Sequence, residues 1–287
     1  MSARNVGEDA HAHCQALVRA SDPDRFVATL FAPADRRAYM FALYAFNLEI
    51  ARIGEIAHEP LAGEIRLQWW RDALTGVSHC ETSGHPVASA LLGALESCRL
   101  PVQPLLNLIE ARRFDIYQEP MVTSADLDLY VRQTSSAVFA TAGQILAGRD
   151  REIAEAADVA GLAYGKAMLL SVAPLHATHG RIYMPSDILD RHGAKAQDLL
   201  GGRSTPALQA AFAEVGSHAG GHFHAFLEHA QHLPANARAA FLPVAIVPLL
   251  LKRLRRRRSV THSVVDVAPL SRLIALGRAG WLGFSPP

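Results

Sequence analysis

From Arg36 to Ile53, Ala38, Phe41, Ala42, Ala45, Phe46, Leu48 and Ile53 recur mostly three or four residues apart, a spacing that suits one face of an α-helix and no strand. Pro33 sits just ahead as an N-terminal punctuator. The same periodicity returns from Ser124, with Asp126 and Asp128 in the first turn, through Leu127, Tyr130, Val131, Val138, Ala142 and Ile145 to a stop at Gly148. A further helix is predicted from Asp150 to about Val172, where Gly161 and Gly165 leave one side open to a close neighbour. Helices are also predicted over 62–77, 86–98, 101–117, 206–232, 237–254 and 265–276, joined by Gly- or Pro-bearing connections. Strict alternation is almost absent, so the expected fold is all-α. No polar linker or internal repeat divides residues 1–287, and a single helical domain is expected.

Half of the 287 residues are hydrophobic and 19% are charged, which supplies a large core and excludes disorder over most of the chain. Twenty-eight Lys+Arg against 27 Asp+Glu leave a formal charge of +1, so a general nucleic-acid binder is excluded and charge must act locally. Cys14, Cys80 and Cys98 are odd in number and form no CxxC, which argues against a disulfide framework or zinc knuckle and suits a reducing, cytoplasm-like compartment. Glu8, Asp9 and two histidines lie where a signal peptide needs a basic start and an apolar run. The longest uncharged apolar stretch, 239–251, has 13 residues interrupted by Pro243 and Pro248, against roughly 20 needed to span a bilayer. Phosphate-loop, dinucleotide, zincin and esterase patterns are all missing.

Two short segments are more specific. Phe41-Ala42-Leu43-Tyr44-Ala45-Phe46, followed by Leu67-Gln68-Trp69-Trp70-Arg71-Asp72, resembles the first part of the squalene/phytoene synthase superfamily. Gly180-Arg181-Ile182-Tyr183-Met184-Pro185 is similar to the segment that closes that superfamily's second active-site motif, and the order and spacing match over roughly residues 20 to 230. The resemblance implies an isoprenoid synthase-like helical bundle around a central cavity. It also implies Mg²⁺ held by aspartates on two facing helices, because a diphosphate leaving group needs its charge neutralised by a hard cation with oxygen ligands.

Those aspartates are missing. The positions that the first motif would occupy hold Ala51, Arg52 and Glu55, and the DxxxD of the second falls on Val172 and His176. One carboxylate remains and one ligand has become a cation. The resemblance then narrows: Ala45-Phe46-Asn47-Leu48-Glu49-Ile50-Ala51, with Gly165-Lys166-Ala167 ahead of Pro174-Leu175-His176, is similar to the branch that contains a mitochondrial complex I assembly factor and its bacterial relatives. This implies a non-catalytic, membrane-peripheral helper of respiratory NADH dehydrogenase assembly. Its partners would be complex I subunits or assembly intermediates, with no cofactor. The fold anchors alone imply the alternatives: a working synthase that condenses two prenyl diphosphates head to head with Mg²⁺, or a carrier of an isoprenoid or lipid in the cavity. Candidate cavity or ligand-binding residues are Tyr44, Arg52, Glu55, Trp69, Lys166, His176, His179, Arg181 and Tyr183.

The remaining polar features are weaker signals. Glu55 and Glu59 stand at i and i+4 with His58 between them, yet Pro60 biases Glu59 away from helical geometry, and a solvated helix end accounts for all three. His218, His222, His229 and His232 share a helical stripe without an acidic ligand at a recognisable spacing, so a structural or surface role is expected and no metal site is assigned. Trp69 and Trp70 point about 100° apart on a helix, so one is expected in the core and the other at a pocket or partner surface. Lys252, Arg253, Arg255, Arg256, Arg257 and Arg258 form the densest charge cluster, directly after an apolar stretch. It suits an anionic membrane surface, and equally a helix end whose cations complement the dipole. The expected location is cytoplasmic, with the inner membrane as the surface to which the chain attaches peripherally.

Overall fold

The computed structural model describes residues 3–284 except 57–58, 78–81, 83, 118 and 258. Every regular element among them is helical. The first half comprises α1 (Ala3–Ser21), α2 (Pro23–Leu30), α3 (Arg37–Ile56), α4 (Pro60–Thr75), α5 (Pro86–Ser97), α6 (Gln103–Ala111), α7 (Phe114–Tyr117), α8 (Ser124–Val131) and α9 (Ala137–Ala147). The second comprises α10 (Arg151–Thr178), α11 (Ser186–Arg191), α12 (Ala196–Leu200), α13 (Pro206–Ala230), α14 (Arg238–Phe241), α15 (Val247–Arg255) and α16 (Pro269–Leu282).

α3 is the core of one half. Met40 to Phe46 are all buried, a run too apolar to face water on any side, and α1 and α5 pack around it. α10 is the core of the other, flanked by α13 and α15. Asp150 caps it by accepting from Glu152 N at 2.7 Å. The predicted stripe 124–148 is interrupted: a π-helical turn, Arg132–Ser136, separates α8 from α9. It lies against α10 at Gly161, where an added Cβ would come within 2.2 Å of Ser136 Oγ. Close approach at this glycine is thus what the sequence foresaw, and the extra backbone of the turn is what it missed.

α10 also runs further than predicted, past Val172 to Thr178 and through the buried Pro174. Pro174 offers no N–H to the Leu170 carbonyl of the preceding turn, and one residue further on the Ser171 carbonyl accepts from Val265 N at 2.8 Å, which ties the loop before α16 to this stretch of the helix. The helix stops at Gly180, whose φ of +74° lets Arg181 N return to the His176 carbonyl at 3.0 Å. That turn folds the 181–185 segment back over the end of the bundle. α1, α2, α11 and α12 were not predicted, and the predicted helix 237–254 is broken into short helical pieces around Pro243 and Pro248. The predicted helix over 101–117 divides into α6 and α7, and the one over 265–276 is displaced to Pro269–Leu282.

Candidate functional site

A cleft of about 650 Å³ opens between α2, α3, the π-helical turn, α10 and the start of α16. Arg25 forms its floor at 6% exposure, its guanidinium 5.2 Å from the Tyr44 ring centre and 5.5 Å from that of Tyr164, with Asp22 at 3.2 Å. Asp24 pairs with Arg272 from α16, and burial raises the Asp24 carboxyl against the pull of that cation. Leu48, Met168, Leu169, Val267 and Leu273 give the walls an apolar character. Asn47 also lines the cleft. It is 6% exposed, and its Oδ1 is buried without a hydrogen-bond partner among the described residues.

The degenerate motif positions lie at one end of α3 and α10. Ala51 and Arg52 are half-buried, and Arg52 donates to Ser21 Oγ at 2.7 Å. Glu55, the remaining carboxylate, is exposed. Val172 and His176 are half-buried on α10. Arg181 spans from the end of α10 to the end of α3, where its Nη2 donates to the Gly54 carbonyl. Behind it Asp115 is 3% exposed and accepts from Tyr130 at 2.8 Å, Tyr183 at 2.6 Å and Arg112 at 2.9 Å. His176 packs against Tyr183 at a tilt of 54°, with ring centres 4.7 Å apart. Burial lowers its imidazole to about 4, with Arg181 and Arg112 adding to the effect against Asp115, so the ring is neutral at physiological pH.

Lys166, His176, Arg181 and Tyr183 surround a hollow of only about 20 Å³, room for a single water. Lys166 is 3% exposed and ion-paired to Asp128 at 2.6 Å, with His222 Nε2 at 3.3 Å. Mg²⁺ therefore does not fit the motif positions: one exposed carboxylate stands where several ligands are needed, and the Arg181 guanidinium occupies the place between the helices.

Other candidates lie elsewhere. Tyr44 is buried beneath Arg25, and His179 is exposed at the end of α10. Trp69 is not on the cleft: it packs against His85 at 4.8 Å, while Trp70 is the core member of the pair, edge-on to Phe46 at 5.0 Å. Of the basic cluster, Lys252, Arg253, Arg255 and Arg256 are exposed, Arg257 is half-buried, and Arg258 lies outside the described residues. His58 and Cys80 lie outside them too. Glu152 and Glu155 meet His229 across the α10–α13 contact, an arrangement that a search along one helix does not reveal, and Arg151 already pairs with Glu155 at 2.6 Å.

The sequence reading did not select Asp22, Asp24, Arg25, Arg112, Asp115, Tyr130, Tyr164 or Arg272. A signal existed for some. Asp22 before Pro23 is a helix-capping pattern, and its side chain accepts from Arg25 N at 3.0 Å.

Residues 18–273 match the squalene/phytoene synthase family. The chain belongs to that family. Among its relatives is the NADH dehydrogenase (ubiquinone) complex I assembly factor 6 of Rattus norvegicus, 28% identical over 253 residues, or 86% of this chain and 74% of that one. The 15-cis-phytoene synthase of Synechocystis is 27% identical over 214 residues, covering 68% and 61%. Among solved structures, squalene synthase HpnC from Alicyclobacillus acidocaldarius superposes with a TM-score of 0.74 at 26% identity, covering 87% of this chain and 94% of that one. A dehydrosqualene synthase in complex with ligand gives 0.83 at 18% identity over 95% of each chain, a likeness of fold. The helical bundle is that of the isoprenoid synthases. Among the described residues α10 alone is long and apolar enough to cross a membrane by composition, and 67% of that stretch is buried among other helices.

Proposed function

We propose that this chain is a non-catalytic squalene/phytoene synthase-like protein, membrane-peripheral, that assists assembly of respiratory NADH dehydrogenase. The relatives named as complex I assembly factors support the process. The observation that carries the loss of catalysis is Arg181 bonded to the Gly54 carbonyl between two helices from which all but one metal-binding carboxylate has gone. Without those ligands nothing offsets the charge of two diphosphates, so neither Mg²⁺ nor another cofactor has a role. The partners are complex I subunits or assembly intermediates, met at the inner membrane. Deleting the gene and resolving respiratory complexes on a native gel tests the reading: depleted NADH dehydrogenase with its subcomplexes accumulating is expected, and a normal complex overturns it. Purified chain with geranylgeranyl diphosphate and Mg²⁺ is expected to release no pyrophosphate above background.

A second reading, in which the cleft carries an isoprenoid or other lipid without turnover, is supported by Asn47, whose buried unpaired oxygen sits in a cleft of about 650 Å³ with apolar walls above an ion-paired floor. Mass spectrometry of lipids that co-purify with the wild-type chain, and their loss on filling the cleft with Met168→Trp in a variant that keeps the wild-type melting temperature, tests it.

A further inference from the structure

α16 is built inside out. Its buried side presents the modest Leu276 and Ala279, with Gly280 so close to Phe31 that an added Cβ would meet the ring at 2.5 Å. Its large apolar residues face outward: Leu270 is 68% exposed, Leu273 49%, Ile274 54%, Trp281 83% and Leu282 79%. These positions follow a helical repeat along one face, and Leu30 and Phe31 at the end of α2 extend it. A contiguous apolar surface of this kind on a water-facing helix marks an interaction site. No carboxylate occurs within α16, and Arg278 is the exposed cation on the same side.

Two neighbours say what covers it. The basic end of α15 is tethered beside the start of α16, since Arg253 donates to the Asp266 carbonyl at 2.7 Å and the Asp266 carboxylate pairs with Arg272. Lys252 and Arg256 there have no carboxylate partner among the described residues, while Arg255 and Arg257 line the groove between α13 and α15. The cleft opens at the same place, because Pro269 and Leu273 of α16 form part of its rim. A sheet of hydrocarbon beneath anionic headgroups matches an apolar face flanked by unpaired cations, with a tryptophan at its end.

We propose that α16 lies in the headgroup layer of an anionic bilayer, with the cations of α15 on its phosphates and the mouth of the cleft against the lipid. This rests on the membrane-peripheral reading above and names the surface that makes the contact. Flotation of the full chain with vesicles of equal parts phosphatidylcholine and phosphatidylglycerol tests it. Wild type is expected to float with these and not with phosphatidylcholine alone, and to show a blue shift in tryptophan emission that Trp281→Phe removes. Ile274→Ser/Trp281→Ser changes only exposed side chains, so it is expected to keep the wild-type melting temperature while binding at least about tenfold more weakly. Lys252→Glu and Arg256→Glu are each expected to weaken binding about fivefold or more.

Wild type that stays with the pellet, or a double variant that floats as well as wild type, overturns the proposal. So does a wild-type dimer in sedimentation velocity that the double variant dissolves, which would make the face a contact between copies. Complementation of a deletion strain separates this from the assembly reading. A chain that restores NADH dehydrogenase yet never floats sinks the membrane face alone. One that floats, while its deletion leaves the complex intact, sinks the assembly reading alone.

Discussion

Arg181 reaches 127 residues back along the chain to donate to the Gly54 carbonyl, and so bridges the ends of α10 and α3 with a guanidinium. Gly54 permits this because a Cβ there would lie 2.9 Å from Asp115 Cβ. The bridge, the glycine and the buried carboxylate form one unit. It fixes the end of the bundle through protein groups alone.

Gly54→Ala therefore overfills this junction. It is expected to cost about 1–3 kcal/mol, read as a melting temperature lower by several degrees. Arg181→Ala removes the bridge and is expected to add little once Gly54→Ala is present, so the double variant is less than additive.

Asp115 distinguishes a lost bond from a stranded charge. Tyr183→Phe deletes one of its donors and is expected to cost about 1 kcal/mol. Asp115→Ala leaves the half-buried Arg112 guanidinium without its counter-ion and Tyr130 and Tyr183 without their acceptor, and is expected to cost about 3 kcal/mol in denaturant unfolding. Near-equal losses for the two variants would contradict this ordering.

Glycines on two helices provide a paired test. Gly161→Ala drives a methyl into Ser136 on the π-helical turn and is expected to be severely destabilising, about 3 kcal/mol or more. Gly277→Ala on α16 meets nothing within 4 Å and is expected to stabilise by about 0.5–1 kcal/mol through helix propensity. Thermal melts of the two single variants check both signs.

Glu49 gives the fold a pH dependence. Burial raises its carboxyl from 4.5 to about 7, opposed by Arg52, with His85 Nε2 at 3.4 Å. The native state holds this proton better than the unfolded chain, so the stability present below pH 4.5 is lost as pH rises through 7. Glu49→Gln is expected to raise stability at pH 8 by about 1–2 kcal/mol after solvent screening, with the difference vanishing at pH 5. His176 acts in the opposite sense, since its lowered imidazole supports the fold above pH 6.5 and loses that support as pH falls toward 4. Urea midpoints across this range in both proteins check the sign.

What the sequence determined by itself was local or periodic. The repeat in α3 required a buried helix, Gly161 announced a close neighbour, and Ala51, Arg52, Val172 and His176 showed that no carboxylate stands at four positions where the resemblance expects one. What the tertiary structure decided joins residues far apart: Tyr183 with Asp115 across 68 positions, Arg272 with Asp24 across 248, and an outward apolar face on α16 that only its packing partners could orient. Hydrophobic spacing specifies which face of a helix avoids water, because one helix carries that information alone. Which polar groups share a cavity depends on how helices are brought together, and α10 illustrates the point: it continues through Pro174 to Thr178, and the loop before α16 comes back to it, where Val265 N donates to the Ser171 carbonyl.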